Sequence, residues 1–183
     1  NCDRYYEGYW QNWEYFIEAQ TEVRSTFTFK KELVGRNAKV IREIQYAKMP
    51  VSLHIRRGDY LHHKLFGGLC DLNYYKKAID YVLNNYDTPQ FYLFSNDREW
   101  CKTYILPLVQ GYPFILVDWN SGVESYIDMQ LMSCCRINII ANSSFSWWAA
   151  WLNDSSEKIV IAPKLWAHSP YGKEIQLKSW LLF

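Results

Sequence analysis

The chain is short of several things that would each announce a function. No apolar run approaches the roughly 18 to 20 residues needed to span a bilayer, so no transmembrane helix is expected. There is no Asp-x-Asp, no clustered Cys and His, no Walker loop and no Gly-x-Gly-x-x-Gly. Metal-bridged diphosphate chemistry and dinucleotide binding therefore lack their usual carriers, and the expectation is that no metal and no cofactor is required. Charge of one sign is missing too: 20 basic side chains stand against 19 acidic ones, which leaves no general footprint for nucleic acid. Cysteine is sparse, and its count of 5 is odd. Cys2, Cys70, Cys101, Cys134 and Cys135 fit neither a disulfide framework nor a Cys-x-x-Cys metal pattern, and read as reduced thiols of a cytoplasmic protein.

What is present suffices for one packed domain: 183 residues, 49% hydrophobic, with aromatics at 18%. From about residue 46 short apolar runs alternate with helical patterns. Strands are expected near 50–56, 90–95, 114–117, 137–141 and 158–162. Helices are expected from Asp71, with Leu72, Tyr75, Ala78, Ile79 and Val82 on one face, from Asn96 or Asp97 to Pro107, over 121–133 and over 143–152. Near-unbroken apolar strands separated by helices imply a doubly wound, mostly parallel α/β sheet covered on both faces. Residues 1–45 show no strand pattern. They read as a helical segment whose Trp10, Trp13, Tyr15, Phe16 and Ile17 pack against something else.

Open parallel sheets bind ligands at the carboxyl ends of their strands. The polar residues there are Arg56-Arg57-Gly58-Asp59, Ser95-Asn96-Asp97, Asp118 and Asn142-Ser143-Ser144. In His54-x-Arg56-Arg57-x-Asp59, two guanidinium forks can clamp a diphosphate and Asp59 can orient one of them. A solvated turn with a surface ion pair is the plain alternative. In Ile139-Ile140-Ala141-Asn142-Ser143-Ser144-Phe145-Ser146, a strand feeds a helix through three serines, a phosphate site built without glycine or simply a well-capped helix. Trp147, Trp148 and Trp151 read as core. His62-His63 reads as solvated loop. Asn142-Ser143-Ser144 and Asn153-Asp154-Ser155 match the glycosylation sequon, the first in a turn with no room for a glycan.

The segments Val51 to Tyr60, Phe94-Ser95-Asn96-Asp97 and Ala141 to Leu152, with Gly8-Tyr9-Trp10-Gln11 and Tyr74-Tyr75-Lys76-Lys77-Ala78, together resemble the α-1,2-fucosyltransferases of glycosyltransferase family 11. That resemblance implies a Rossmann-like donor-binding domain of a GT-B-like enzyme, occupying 46–183. It implies inverting, metal-independent transfer of L-fucose from GDP-β-L-fucose to a galactose 2-hydroxyl of an oligosaccharide. Arg56 would hold the β-phosphate, His54 would approach the guanosine, and Asp128 matches a position that receives guanine N–H groups. Ser143, Ser144 and Ser146 would meet the diphosphate, with Arg57, Asn96 and Asp97 also on the donor side. Asp59 is the candidate base for the acceptor hydroxyl, or else a partner for Arg57. The family's glycine-rich Gly-Gly-Leu-Gly-Asn-Gln type segment has no counterpart here, so the expectation is a C-terminal part of a longer enzyme, lacking the contacts an upstream part supplies. A bacterial cytoplasmic location is expected, including the inner face of the membrane. Two rivals are a non-catalytic carbohydrate-binding module, supported by aromatic content alone, and a fucosyltransferase of another linkage class.

Overall fold

A computed structural model describes residues 3–5, 7, 12–169 and 175–183. Trp10 and the Gly8-Tyr9-Trp10-Gln11 segment lie outside the described residues, as does Cys2. After a short turn at Trp13–Phe16 come α1 (Gln20–Thr26) and α2 (Gly35–Tyr46). The sheet elements then alternate with helices: β1 (Met49–Ile55), α3 (Leu72–Asn85), β2 (Pro89–Ser95), α4 (Arg98–Trp100, continued by a wide turn over Cys101–Ile105), β3 (Phe114–Val117), α5 (Tyr126–Ser133), β4 (Ile137–Ile139), α6 (Ser144–Leu152), β5 (Ile159–Ala162) and β6 (Leu181–Leu182).

All six strands are parallel, in the order β3-β2-β1-β4-β5-β6. The chain builds outward from β1 through β2 to β3, then returns to the other side of β1 with β4. The crevice between the carboxyl ends of β1 and β4 is thus the topological switch point, where open α/β sheets hold ligands. Alternation along β1 divides the core. Val51, Leu53 and Ile55 face α3 and its Tyr75, Ile79 and Val82. On the opposite face, Tyr92, Phe94 and Val117 pack on Val40 and Ile44 of α2 and on Ile127 and Leu131 of α5.

Local chemistry explains the element starts. Asp71 caps α3 by accepting the Tyr74 N–H at 2.8 Å, and Asp97 caps α4 by accepting the Trp100 N–H at 3.1 Å. Three expectations need correction. Leu72 is exposed, and Tyr74 takes its place in the core while donating its hydroxyl to the Ile140 carbonyl at 2.6 Å. The helix expected over 121–133 is a short turn at Gly122–Glu124 followed by α5. Trp13 to Phe16 is a single turn, with Tyr15 exposed and Phe16 stacked on Trp148 at 5.9 Å. Of the tryptophans of α6, Trp147 and Trp151 are core as expected, buried with Trp166 and Trp180, whereas Trp148 is half-buried against that cluster. Among the described residues no helix is long and apolar enough to cross a membrane.

Candidate functional site

β1 carries the first motif to the switch point and then turns sharply. Gly58 has φ +46°, and a Cβ there would lie 2.5 Å from Asn96 Nδ2, so only glycine passes without disturbance. The turn is fastened to the end of β2: the Arg57 N–H donates to Asn96 Oδ1 at 2.9 Å. Arg57 then folds back. Its Nε donates to Asp97 Oδ2 at 3.0 Å and its guanidinium lies 4.2 Å from the centre of the Trp100 ring. One carboxylate therefore both caps α4 and holds Arg57.

Arg56 goes the other way. Its Nη2 meets the two Asp59 carboxylate oxygens at 2.8 and 3.0 Å, its Cζ lies 5.2 Å from the Tyr60 ring centre, and its Nε is buried with no partner. The two arginines thus turn to different carboxylates. Asp59 pairs with Arg56 and not with Arg57; the partner of Arg57 is Asp97, because Arg57 leaves the strand on the β2 side.

His54, the last inward residue of β1 on the α6 side, is buried, and its Nδ1 has no partner. Burial first, and then the Arg56 charge, push its pKa down to about 3, so the imidazole is neutral at physiological pH. Its ring centre lies 5.6 Å from that of Phe145 in the first turn of α6. The sheet thus brings together the two motifs that sequence had placed about ninety residues apart, as parallel crossovers allow.

At the start of α6 the serines divide their work. Trp147 N–H to the Ser143 carbonyl, at 2.9 Å, is the first helical bond, so the amides of Ser144, Phe145 and Ser146 precede it. Ser144 is exposed at the helix start. Ser143 is buried, and its N–H donates to the Ala141 carbonyl at 2.7 Å. The fully buried Ser146 hydroxyl donates to Ala141 and Ser143 carbonyls at 3.2 and 3.3 Å, so this side chain faces the turn and not the crevice. Asn142 fixes the approach: its Nδ2 donates to the carbonyls of Phe66 and Trp166, each at 3.1 Å, and its N–H donates to Cys70 Sγ at 3.4 Å.

Asp128, in the first turn of α5, accepts from Asn120 Nδ2 at 2.7 Å. Burial pushes its pKa up to about 6 against that hydrogen bond. Asn120 in turn is bonded to Asn37 of α2 at 2.8 and 3.0 Å, and Asn37 Oδ1 accepts the Trp119 indole N–H at 2.8 Å. Beside this chain lies a cavity of about 440 Å³ lined by Val34, Arg36, Asn37, Trp119, Asn120 and Tyr126, among others. Phe145 packs in the same apolar cluster as Trp119, Tyr126 and Met129, which links the cavity wall to the α6 turn. Asn37, Trp119 and Asn120 escaped sequence reasoning. Asn120 could have been found as a polar residue just past a strand; Asn37 has no such signal, since it arrives from the N-terminal helical segment. Among the described residues no three His, Cys, Asp or Glu side chains gather as a metal site.

A parallel sheet of this order, with a polar crevice at its switch point, defines a Rossmann-like α/β unit. The chain belongs to glycosyltransferase family 11: the family described as "Glycosyl transferase family 11" matches residues 1–182. Similar proteins include an alpha-1,2-colitosyltransferase of Escherichia coli, 39% identical over 165 residues that make up 87% of this chain and 54% of that protein. The O-antigen biosynthesis glycosyltransferase WbnK of Escherichia coli is 41% identical over 134 residues, 71% of this chain and 43% of that protein. Galactoside alpha-(1,2)-fucosyltransferase 2 of Gorilla gorilla gorilla is 28% identical over 175 residues, 92% of this chain and 50% of that protein. The chain spans about half the length of the curated relatives it matches.

Proposed function

We propose that this unit binds GDP-β-L-fucose and serves the inverting transfer of fucose to a galactose 2-hydroxyl of an oligosaccharide. The observation that carries the reading is a pair of buried, unpartnered polar atoms, His54 Nδ1 and Arg56 Nε, at the switch point beside the open amides of α6. Buried polar atoms are rarely left without partners, and such orphans at a ligand crevice point to a group that arrives from outside. Cationic fork and helix N-terminus together suit a diphosphate.

In the reaction the acceptor oxygen attacks the fucose anomeric carbon from the face opposite the departing group. The bond from that carbon to the β-phosphate oxygen breaks, and GDP leaves with the electron pair. Arg56 and the Ser144 to Ser146 amides meet the growing negative charge, the role of preorganised donors in such steps. The exposed Arg56–Asp59 pair is worth only about 0 to 1 kcal/mol, and a diphosphate brings more negative charge and more acceptor oxygens than the single Asp59 carboxylate, together with the α6 amides as further donors. Phosphate therefore wins the guanidinium, and the released Asp59 carboxylate becomes available to take the acceptor proton. The cavity lined by Asn120, whose amide donates to Asp128 behind it, would receive the guanine. No step calls on a metal.

A second reading concerns the sugar. The 39% relative is named a colitosyltransferase, and colitose differs from fucose by one missing hydroxyl; colitose would then be the transferred sugar. Thermal shift with GDP, GDP-fucose, GDP-linked colitose and UDP-sugars, with and without EDTA, tests both. At a hundredfold excess over its dissociation constant GDP adds about 2.7 kcal/mol, which for a chain of this size is a shift of about 5 to 10 °C. A GDP-selective, EDTA-insensitive shift is expected, and the larger response between the two GDP-sugars assigns the donor. No response to any nucleotide rejects the donor site and leaves a carbohydrate-binding module.

A further inference from the structure

The loop between β1 and α3 is built more tightly than a connecting loop requires. Gly67 has no room for a Cβ, which would lie 2.8 Å from the Tyr60 carbonyl oxygen and 2.9 Å from that of His63. The Gly67 and Phe66 N–H groups both donate to the His63 carbonyl, at 2.8 and 3.3 Å. From outside, Asn142 Nδ2 holds the Phe66 carbonyl at 3.1 Å and the His168 N–H holds that of Leu65 at 2.8 Å. Because Asn142 also precedes α6, the loop is fastened to the turn that supplies the phosphate amides.

This loop presents a cluster of rings. Tyr60 and Phe66 lie 5.3 Å apart at 22°, and Phe66 and His63 4.7 Å apart at 27°. Leu61, Leu65 and Leu165 are exposed at 42%, 44% and 53% around it. Polar groups sit at its edge. His63 Nδ1 accepts the Leu65 N–H at 3.2 Å, so the neutral ring carries its proton on Nε2 and offers a donor. Asp59 offers a carboxylate, and the Tyr60 hydroxyl bonds none of the described residues. His63 is exposed, and Tyr60 and Phe66 are half-buried beside it; such rings, held rigid at the surface with polar groups at their edge, suit a sugar, which has apolar C–H faces and a rim of hydroxyls.

Resting on the donor-site reading above, we infer that Tyr60, His63, Leu65 and Phe66 form the platform that receives the acceptor oligosaccharide, with Asp59 at its inner edge. Position supports this occupant over others. Arg56 Cζ is 5.2 Å from the Tyr60 ring centre, and an acceptor oxygen must come within about 3 to 3.5 Å of the carbon bonded to the phosphate that Arg56 holds. A sugar seated on the platform therefore lies beside the reacting bond. Rigidity of the loop lowers the ordering cost of a ligand whose own contacts are weak.

The test uses the full-length protein with lactose as the galactose-terminated probe. In the absence of nucleotide, saturation-transfer NMR is expected to mark the galactose ring protons in the wild type and to lose that signal in His63→Ala and Leu65→Ser. In transfer assays those variants should raise the lactose KM roughly fivefold to tenfold, the scale of one lost ring or apolar contact. Their KM for GDP-fucose should stay within about twofold, and Tyr60→Phe, which keeps the ring, should restore most lactose binding relative to Tyr60→Ala. Unchanged lactose KM, or lactose saturation that survives in the variants, overturns the platform. So does a fall in melting temperature with no change in lactose binding, which would mean that another part of the protein covers this patch. Failure of the wild type to respond to GDP rejects the donor reading instead, and the nucleotide-free NMR arm still reports on the platform.

Discussion

Replacing Gly58 by alanine probes the hinge that separates the two arginines. Alanine at φ +46° adopts a left-handed conformation, at a cost of about 1 to 2 kcal/mol. Its Cβ would also meet Asn96 Nδ2 at 2.5 Å, and the amide can escape only by rotating away from the Arg57 N–H it now accepts at 2.9 Å. Losing that hydrogen bond costs about 1 kcal/mol more. The sum, about 2 to 3 kcal/mol, corresponds to a melting temperature lower by about 5 to 10 °C for a chain of this size. Asn96→Ala removes the obstacle but not the backbone strain. In that background Gly58→Ala should cost only about 1 to 2 kcal/mol, leaving a coupling of about 1 kcal/mol in a double-mutant cycle read by urea and thermal unfolding. Equal cost in both backgrounds would show that the Asn96 amide is no obstacle. A melting temperature unchanged in the single variant would refute the strained turn altogether. Because the turn aims Arg56, GDP affinity measured by calorimetry should fall together with stability in Gly58→Ala.

Arg56→Ala should abolish transfer, and Arg56→Lys should also fail, since one ammonium cannot replace the planar fork of donors that meets the phosphate; full activity in either variant, measured as fucosylated product, rejects the clamp. Asp128 gives a pH signature. Its folded pKa is raised to about 6 from an ordinary 3.8, so its contribution to stability is fully present below about 4 and is lost as pH rises through about 6. Asp128→Asn should therefore flatten unfolding free energy against pH across that window. GDP affinity of the wild type should rise through the same window as the carboxylate ionises to receive guanine N–H groups, and the asparagine variant should not show that rise.

Sequence patterning revealed the sheet because parallel strands are rich in apolar runs: β2 is buried along most of its length, β3 is an apolar run at the sheet edge, and β1 is buried with Ser52 and His54 among its apolar residues. Strand β6, two residues long, offers no periodicity to read. Strand ends were legible: the pattern put His54 at the end of one strand and the Ser143-Ser144 turn after another, and the structure sets the His54 ring beside Phe145 of that turn. Side-chain direction was not legible. Arg56 and Arg57 follow the last residue of β1, and which carboxylate each finds depends on β2 lying beside β1 and delivering Asp97. Ser146 shows the same limit, because a serine two residues into a helix can face the ligand or cap a carbonyl, and only the packed turn decides. Nor could the pattern show that α2, read as part of a separate helical segment, sends Val40 and Ile44 into the core and Asn37 to the cavity.

The aim of the α6 amides rests on hydrogen bonds more than on apolar burial. Apolar packing is non-directional, so the tryptophan face of α6 fixes its depth on the sheet but not the direction of its first turn. Direction comes from polar groups at both ends. Asn142 ties the entry to the Phe66 and Trp166 carbonyls; at the exit, buried Asn153 donates to the Cys135 carbonyl at 2.7 Å and to Asn138 Oδ1 at 3.0 Å, and Asn138 continues to Ser52 Oγ of β1 at 2.7 Å. Lys158 closes the last turn by donating to the Ala150 carbonyl at 3.1 Å and to that of Asn153. These are the same asparagines that spell the two Asn-x-Ser sequons. With both at 3% exposure or less and their amides committed to the backbone, neither can carry a glycan in the folded chain. Their chemistry is spent on orienting a helix that, lacking a glycine-rich loop, must present its amides to the crevice by being held from both ends.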